Sequence, residues 1–458
     1  MNQKGFSICL AAVLCILGIH TALADIPLVC LYEDVVGKWE LHEGPRDGSN
    51  DIACDSSFTT DNFAVVDLQK PNVAVDQYGN VGTWTIIYDE GFEVIVNGRK
   101  YFASFAYEES DGYTASHCEM TSVGWSHDVL THNWACYYGK KQMSSTPRIS
   151  KSKSNVFPDY KDAVYRADAD LVNRINAAGT TWKAKLYTEH EGLPFEKFLQ
   201  KMGGSPSQFA LPHPAPVTPE IKRKALELPE SFDWRNVSGD NYVSPVRNQQ
   251  QCGSCFAFAS AAQLESRIRI RTNNEKQPVF SPQDVVSCTK YADGCAGGVP
   301  YLIAGKYAQN YGMVEEQYNP YQGIDTECVT PSDAPRHYVA EYEYVGGYYG
   351  GSNEETMMVS LVNNGPLVIA YMAYPDFYNY EGGVYQYTRL TSRINPYYAV
   401  NHAALIVGYG TEQETGLKYW IVKNSWGDSW GLDGYFLIRR GTNECGVESQ
   451  AVDAHPIP

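Results

Sequence analysis

At 458 residues the chain exceeds one ordinary domain, and two or three units are expected. Its formal net charge of −17 argues against nucleic acid or an anionic membrane surface as a partner. An acidic protein also stays closer to neutral in an acidic compartment.

Residues 1–24 read as a secretory signal: Lys4, an apolar stretch from Phe6 to Ile19, then Ala22-Leu23-Ala24 as a small-residue cleavage site. The stretch is too short to span a bilayer comfortably, and no other run approaches the ~20 residues a span needs. An exported, soluble protein is predicted. From Asp25 to about Lys141 the chain is β-rich. Thr83–Tyr88 and Phe92–Val96 are strand-like, and Asn97-Gly98 signals a hairpin. Short strands with a self-contained cysteine set (Cys30, Cys54, Cys118, Cys136) suggest a small barrel closed by two disulfides. Residues 142–227 differ: Lys161 to Ala178 has helical spacing, and Leu211 to Pro216 reads as an extended, exposed linker. From Leu228 to the end, helices precede a β-rich half. The sequon Asn236-Val237-Ser238 allows N-glycosylation on a surface loop.

Chemistry concentrates in that last unit. In Gln249-Gln250-Gln251-Cys252-Gly253-Ser254-Cys255-Phe256, Ser254 is a good N-cap for a helix running through apolar residues to Ile270. A cysteine in the first turn feels the positive end of the helix dipole, which favours the nucleophilic thiolate. A structural pair, half a zinc site or a redox pair are the other readings of two cysteines so spaced, but no second Cys-x-x-Cys follows. His402 enters an apolar strand that stops at Gly410, and Tyr419–Val422 forms a second strand before the polar turn Lys423-Asn424-Ser425-Trp426-Gly427. The histidines show no His-x-x-x-His pair, which disfavours a metalloenzyme.

These three segments, in the chain order Cys, His, Asn, resemble the papain family of cysteine peptidases. His402 lies 147 residues and Asn424 169 residues beyond Cys255, against ~130–150 for the family pattern. The loop Glu412 to Gly416 is a natural place for the excess. Phe256 departs from the Trp or Tyr of the motif. The resemblance implies Cys255 and His402 as a thiolate–imidazolium pair, Asn424 orienting the imidazole, and Trp426 shielding that bond. Gln249 and the Cys255 N–H would form the oxyanion hole. Gly297 and Gly298 would line the substrate, together with Asn401 and Trp426. The implied fold class is α+β: a papain-like catalytic domain with a helical lobe and a β-barrel lobe, behind an all-β barrel.

The N-terminal stretches Asp76–Asn80, Thr85–Glu93 and Gly124–Leu130, with Pro300–Ala308 in the catalytic unit, look like the exclusion domain and heavy chain of the cathepsin C family, also called dipeptidyl peptidase I. That resemblance implies a signal peptide (1–24), exclusion domain (25–141), propeptide and linker (142–227) and peptidase domain (228–458), cut into a heavy chain to about 391 and a light chain from about 392. It implies pairing of Cys252 with Cys295 and Cys288 with Cys328, leaving Cys445 spare. The family's extra disulfide is missing, since Tyr318 and Ala334 occupy its places. Further implications are a homotetramer in lysosomes or secretions, acting on peptides and proteins with free N-termini, and a chloride ion held near Val299, Tyr301 and Tyr344. The carboxylate of Asp25, the new N-terminal residue, would face the substrate's ammonium. Two extended residues span only ~7 Å, so a carboxylate at that distance would measure out a dipeptide. A papain-like endopeptidase with an accessory domain, or an inactive binding homologue, are the competing readings. Cutting of N-acetylated peptides would favour the first, and failure of an epoxide to label a thiol the second.

Overall fold

The computed structural model describes residues 28–54, 58–60, 62–110, 113–130, 132–143, 145–151, 163–201, 213–391 and 401–458. The signal segment, Asp25 and the expected cleavage region near Ser392 lie outside the described residues.

Alternation of inward and outward side chains builds the first unit. In β1 (Gly37–Glu43) Trp39, Leu41 and Glu43 are buried while their neighbours are not, the period-two pattern of a half-buried strand. β2 (Asn62–Gln69), β3 (Val73–Asp76), β4 (Val81–Ile87), β5 (Gly91–Val96) and β6 (Arg99–Ser110) follow as antiparallel neighbours. β8 (Gly124–Asp128) then pairs with β6, and β9 (Ala135–Lys141) pairs with both β8 and β1, closing an eight-stranded antiparallel barrel. β7 (Tyr113–Thr121) and β10 (Arg148–Lys151) extend one side. Asn97 and Gly98 carry φ of 48° and 71°, so the β5–β6 hairpin uses the primed turn whose twist suits the strands. Trp39 and Phe92 meet in the core at 4.8 Å between ring centroids. Cys30–Cys118 and Cys54–Cys136 tie loops to β7 and β9.

The segment after the barrel wraps the peptidase unit. α1 (Ala169–Ala177) is shorter than its sequence pattern predicts: Asp168 caps it by accepting from the Leu171 N–H, and Tyr165 is instead tied to Leu193 by backbone hydrogen bonding. β11 (Trp182–Ala184) adds an edge strand to the peptidase sheet against Tyr380–Tyr385. α2 (Phe195–Lys201) is anchored by Phe198, stacked on Tyr165 and edge-on to Tyr378. Of the expected linker, His213 to Pro216 are described; they are largely exposed and without regular structure, and are held at two points. Tyr348 donates to the His213 carbonyl, and the Ala215 N–H donates to Gly351. α3 (Pro219–Leu226), capped by Thr218, precedes the peptidase.

In the peptidase, α4 (Cys255–Arg271) runs through the core with its first fifteen residues buried. It packs on a sheet whose central strands are β12 (His402–Thr411) and β13 (Lys418–Lys423). Cys252–Cys295 and Cys288–Cys328 are bonded, and among the described residues Cys255 and Cys445 are the free thiols. The helical lobe and the sheet lobe meet along the line where α4 begins and β12 begins.

Candidate active site

Two chain ends of regular structure bring the reacting groups together. Cys255 opens α4, and His402 opens β12 opposite Tyr371. Ser254 sits at the N-cap position but caps nothing. Tyr321 donates its hydroxyl proton to the Gln249 carbonyl at 2.8 Å, so the Ser254 hydroxyl donates to Tyr321 at 2.6 Å. The predicted cap is therefore diverted into holding the loop that carries Gln249.

His402 Nε2 lies 2.9 Å from Asn424 Oδ1. That contact makes Nε2 the donor and leaves Nδ1, which is buried without a partner, as the nitrogen able to take a thiol proton. Trp426, itself buried, covers the imidazole at 5.0 Å between centroids. Backbone N–H groups of Ala403, Phe256 and Cys255 favour a thiolate, but burial outweighs them and pushes the Cys255 thiol up to about 11. Burial likewise pushes His402 down to about 4, against the Asn424 bond and with help from the Lys201 ammonium. Both shifts favour the neutral thiol and the neutral imidazole.

The end of α2 also reaches this site. Gln249 is fully buried, and its amide N–H groups go to the carbonyls of Cys252 at 2.9 Å and Lys201 at 3.2 Å. Lys201, the last residue of α2, thus lays a carbonyl oxygen on the donor expected to bind an oxyanion. The Ser425 hydroxyl donates to Gln249 Oε1 at 2.6 Å and so fixes which end of the amide faces the cleft. Sequence reasoning missed both contacts: Ser425 sits beside Asn424, but nothing local announces a partner 176 residues away.

Two glycines are forced here. A Cβ on Gly253 would stand 2.6 Å from the Cys295 carbonyl that its N–H donates to, and one on Gly298 would stand 2.7 Å from the Phe256 ring. Gly297 and Gly298 line the cleft beside Cys255 and His402, and Asn401 joins them. The Asn401 side chain is spent on Ala373, accepting its N–H at 2.7 Å and donating to its carbonyl at 3.3 Å. Val299, Tyr301 and Tyr344 line a small cavity of about 10 Å³ at the cleft's end. The Tyr344 hydroxyl is buried without a partner, but that of Tyr301 donates to Glu93 at 3.0 Å and not toward the cavity. Asn236 is exposed in a turn. Among the described residues no cluster of three or more His, Cys, Asp or Glu could hold a metal.

The cleft itself encloses about 240 Å³, and its walls come from both units: Tyr88, Glu90, Phe102, Gly124 and Trp125 of the barrel stand across from Cys255, Gly298 and His402. The sequence matches the family described as papain family cysteine protease over residues 228–455 and the cathepsin C exclusion domain over residues 25–141. Cathepsin C of Schistosoma mansoni is 38% identical over 448 residues, 95% of this chain and 96% of that protein. The chain belongs to the cathepsin C family. It is a papain-type cysteine peptidase with an exclusion domain, of the cysteine dipeptidyl-peptidase class. Pro-cathepsin H of Bos taurus is 34% identical over 63% of this chain and 80% of its own length. The solved structure of a digestive procathepsin L2 from Tenebrio molitor larval midgut superposes with a TM-score of 0.52 at 32% identity, covering 62% of this chain and 87% of that one. Among the described residues no helix is long and apolar enough to cross a membrane.

Proposed function

We propose that this protein removes dipeptides stepwise from free N-termini through a thioester acyl-enzyme. The observation that carries the reading is the barrel in the cleft: a papain groove open at both ends cuts internally, whereas here Phe102, Gly124 and Trp125 stand in the same cavity as Cys255.

In the reaction, Cys255 gives its proton to His402 Nδ1, and the thiolate adds to the scissile carbonyl. The oxyanion is held by the Gln249 amide and the Cys255 N–H, each donor worth about 3–4 kcal/mol at the barrier. His402 passes the proton to the leaving amine, then takes one from the water that cleaves the thioester. Asn424 keeps the imidazole oriented throughout. The substrate's ammonium is anchored by Asp25, which lies outside the described residues. An orphaned, buried Tyr344 hydroxyl suits a halide. With Val299 and Tyr301 contributing backbone, it would hold a chloride ion whose charge steadies the pocket for the second substrate residue.

The uncut chain is a zymogen on this reading. The 142–227 segment is its propeptide and linker, and cuts before Leu228 and near Ser392 give heavy and light chains. The active form is a lysosomal or secreted homotetramer, glycosylated at Asn236. A peptide ladder tests the function: the activated enzyme is expected to shorten a free peptide two residues at a time and to leave its N-acetylated twin intact. Asp25→Ala should raise KM for free substrates about ten- to a hundredfold while Cys255 still reacts with a small epoxide. Internal cuts in the acetylated peptide would establish an endopeptidase instead, and an unlabelled thiol an inactive homologue.

A further inference from the structure

The barrel sends an ionised side chain into the peptidase. Glu93 on β5 is 2% exposed, and the hydrogen bonds its carboxylate accepts cross the junction. Tyr301 Oη donates to Oε1 at 3.0 Å, while Lys306 Nζ at 3.0 Å and Tyr342 Oη at 2.8 Å donate to Oε2. Tyr301 and Lys306 belong to one helical segment, Tyr301–Tyr307, wound as a π-helix. Its wider turn brings residues five apart to one side, so a single carboxylate grips both ends of the segment.

That segment starts where the cleft ends. Val299 and Pro300, immediately before it, line both the catalytic cleft and the small cavity beyond. The Tyr301 ring lies flat on Tyr344 at 4.2 Å and 11° between planes. We propose that Glu93 is a positioning residue for the peptidase: through Tyr301 and Lys306 it holds both ends of this helix, and with its first residue the cleft floor at Val299 and Pro300, against which a side chain of the bound dipeptide would rest. The inference rests on the dipeptidyl reading above and gives the barrel a second task beyond blocking the groove.

The alternative is that Glu93 merely glues two units together. Electrostatics separates the cases. Lys306 faces the carboxylate directly, Lys100 stands beside it while donating to Gln309, and Glu341 and Glu343 lie further out. In Glu93→Gln the one remaining oxygen is claimed by Lys306 and Tyr342, so Tyr301 faces an amide NH2 in place of its acceptor, and the Lys100 and Lys306 ammonium groups repel with no carboxylate between them. The disturbance is aimed at the floor and not at Cys255.

The test uses the full chain after activation, with active sites titrated by an epoxide on Cys255. Two free dipeptidyl substrates are compared, one bulky and one with glycine at the residue nearest the floor. Glu93→Gln is expected to raise KM for the bulky substrate about tenfold, with kcat per titrated site within about threefold and the glycine substrate little changed. Tyr301→Phe, which keeps every charge, should reproduce most of that change, and the double variant should add little. Unchanged KM for both substrates, or an equal loss of kcat on both that tracks a fall in Tm, overturns the proposal. Should Glu93→Gln fail to fold, Tyr301→Phe alone decides, and an unaltered KM ratio in it is fatal. Internal cutting of acetylated peptides by the wild type would sink the dipeptidyl reading, while the ratio of KM between the two side chains still decides the role of Glu93.

Discussion

Asn424 and Ser425 are adjacent, yet each disciplines a different group. Asn424 fixes the imidazole of His402, and Ser425 fixes the amide of Gln249. Their losses should therefore look different. Cys255→Ser is expected to abolish hydrolysis in a folded protein, because a hydroxyl is too weak an acid to form the ion pair. Turnover within a few-fold of wild type would remove Cys255 from the nucleophile's place. Asn424→Ala should leave a measurable remnant, since Asn424 orients and does not react. Ser425→Ala should lower kcat about tenfold at nearly constant KM, because a freed Gln249 amide can turn its oxygen toward the developing oxyanion. A rise in KM with kcat untouched would assign Ser425 to substrate binding. Cys255, His402 and Asn424 could be read from the sequence because each sits in a motif with local character. Ser425 was equally visible but mute, since its meaning lies in a hydroxyl aimed at another lobe.

Among the elements, α2 carries most of what the sequence withheld. Its seven residues have too little pattern to reveal a target, and it meets Gln249 through a backbone carbonyl, which no side-chain motif reports. The barrel hairpin was legible for the opposite reason: Asn97-Gly98 states its turn chemistry outright. The helix expected from Lys161 begins only at Ala169, because the Asp168 cap and the Tyr165–Leu193 backbone pairing win over spacing. With α2 in place, the buried thiol at about 11 and imidazole at about 4 are both neutral at ordinary pH. Alkylation of Cys255 in the uncut chain should be slow near neutrality and rise as pH climbs toward 11. On the proposed removal of the 142–227 segment, water and substrate should reach the pair, and fast alkylation should persist into mildly acidic pH as for other low-pKa thiols. Fast, pH-insensitive alkylation of the uncut chain would mean that α2 does not control the site.

At the scale of the whole molecule the barrel and the peptidase could be read from sequence in their order, but the junction that makes them one enzyme could not. Glu93 is one carboxylate in a hairpin, and only the fold reveals that Tyr301, Tyr342 and Lys306 meet it. The junction also sets a limit in acid. Burial opposes the Glu93 charge, but Lys306 and Lys100, with the hydrogen bonds from Lys306 and Tyr342, hold its carboxyl down at about 2 against an ordinary 4.5. A depressed folded value means the ionised carboxylate stabilises the fold fully above pH 4.5, and that contribution is lost as pH falls toward 2. Lys100 acts in the opposite sense: burial lowers it to about 8, so its charge costs stability below that pH. That cost is constant across the acid window and cannot mimic the Glu93 effect. Other buried carboxylates, Asp453 beside Arg267 among them, also protonate in acid, so the wild type must be read against Glu93→Gln. The Tm of the wild type should fall more steeply from pH 4.5 to 2 than that of the variant, which starts lower and has no carboxylate to lose there. At mildly acidic pH, above 4.5, the wild-type junction should still be intact. Parallel Tm profiles for the two proteins would show that the Glu93 charge contributes nothing to joining barrel and peptidase.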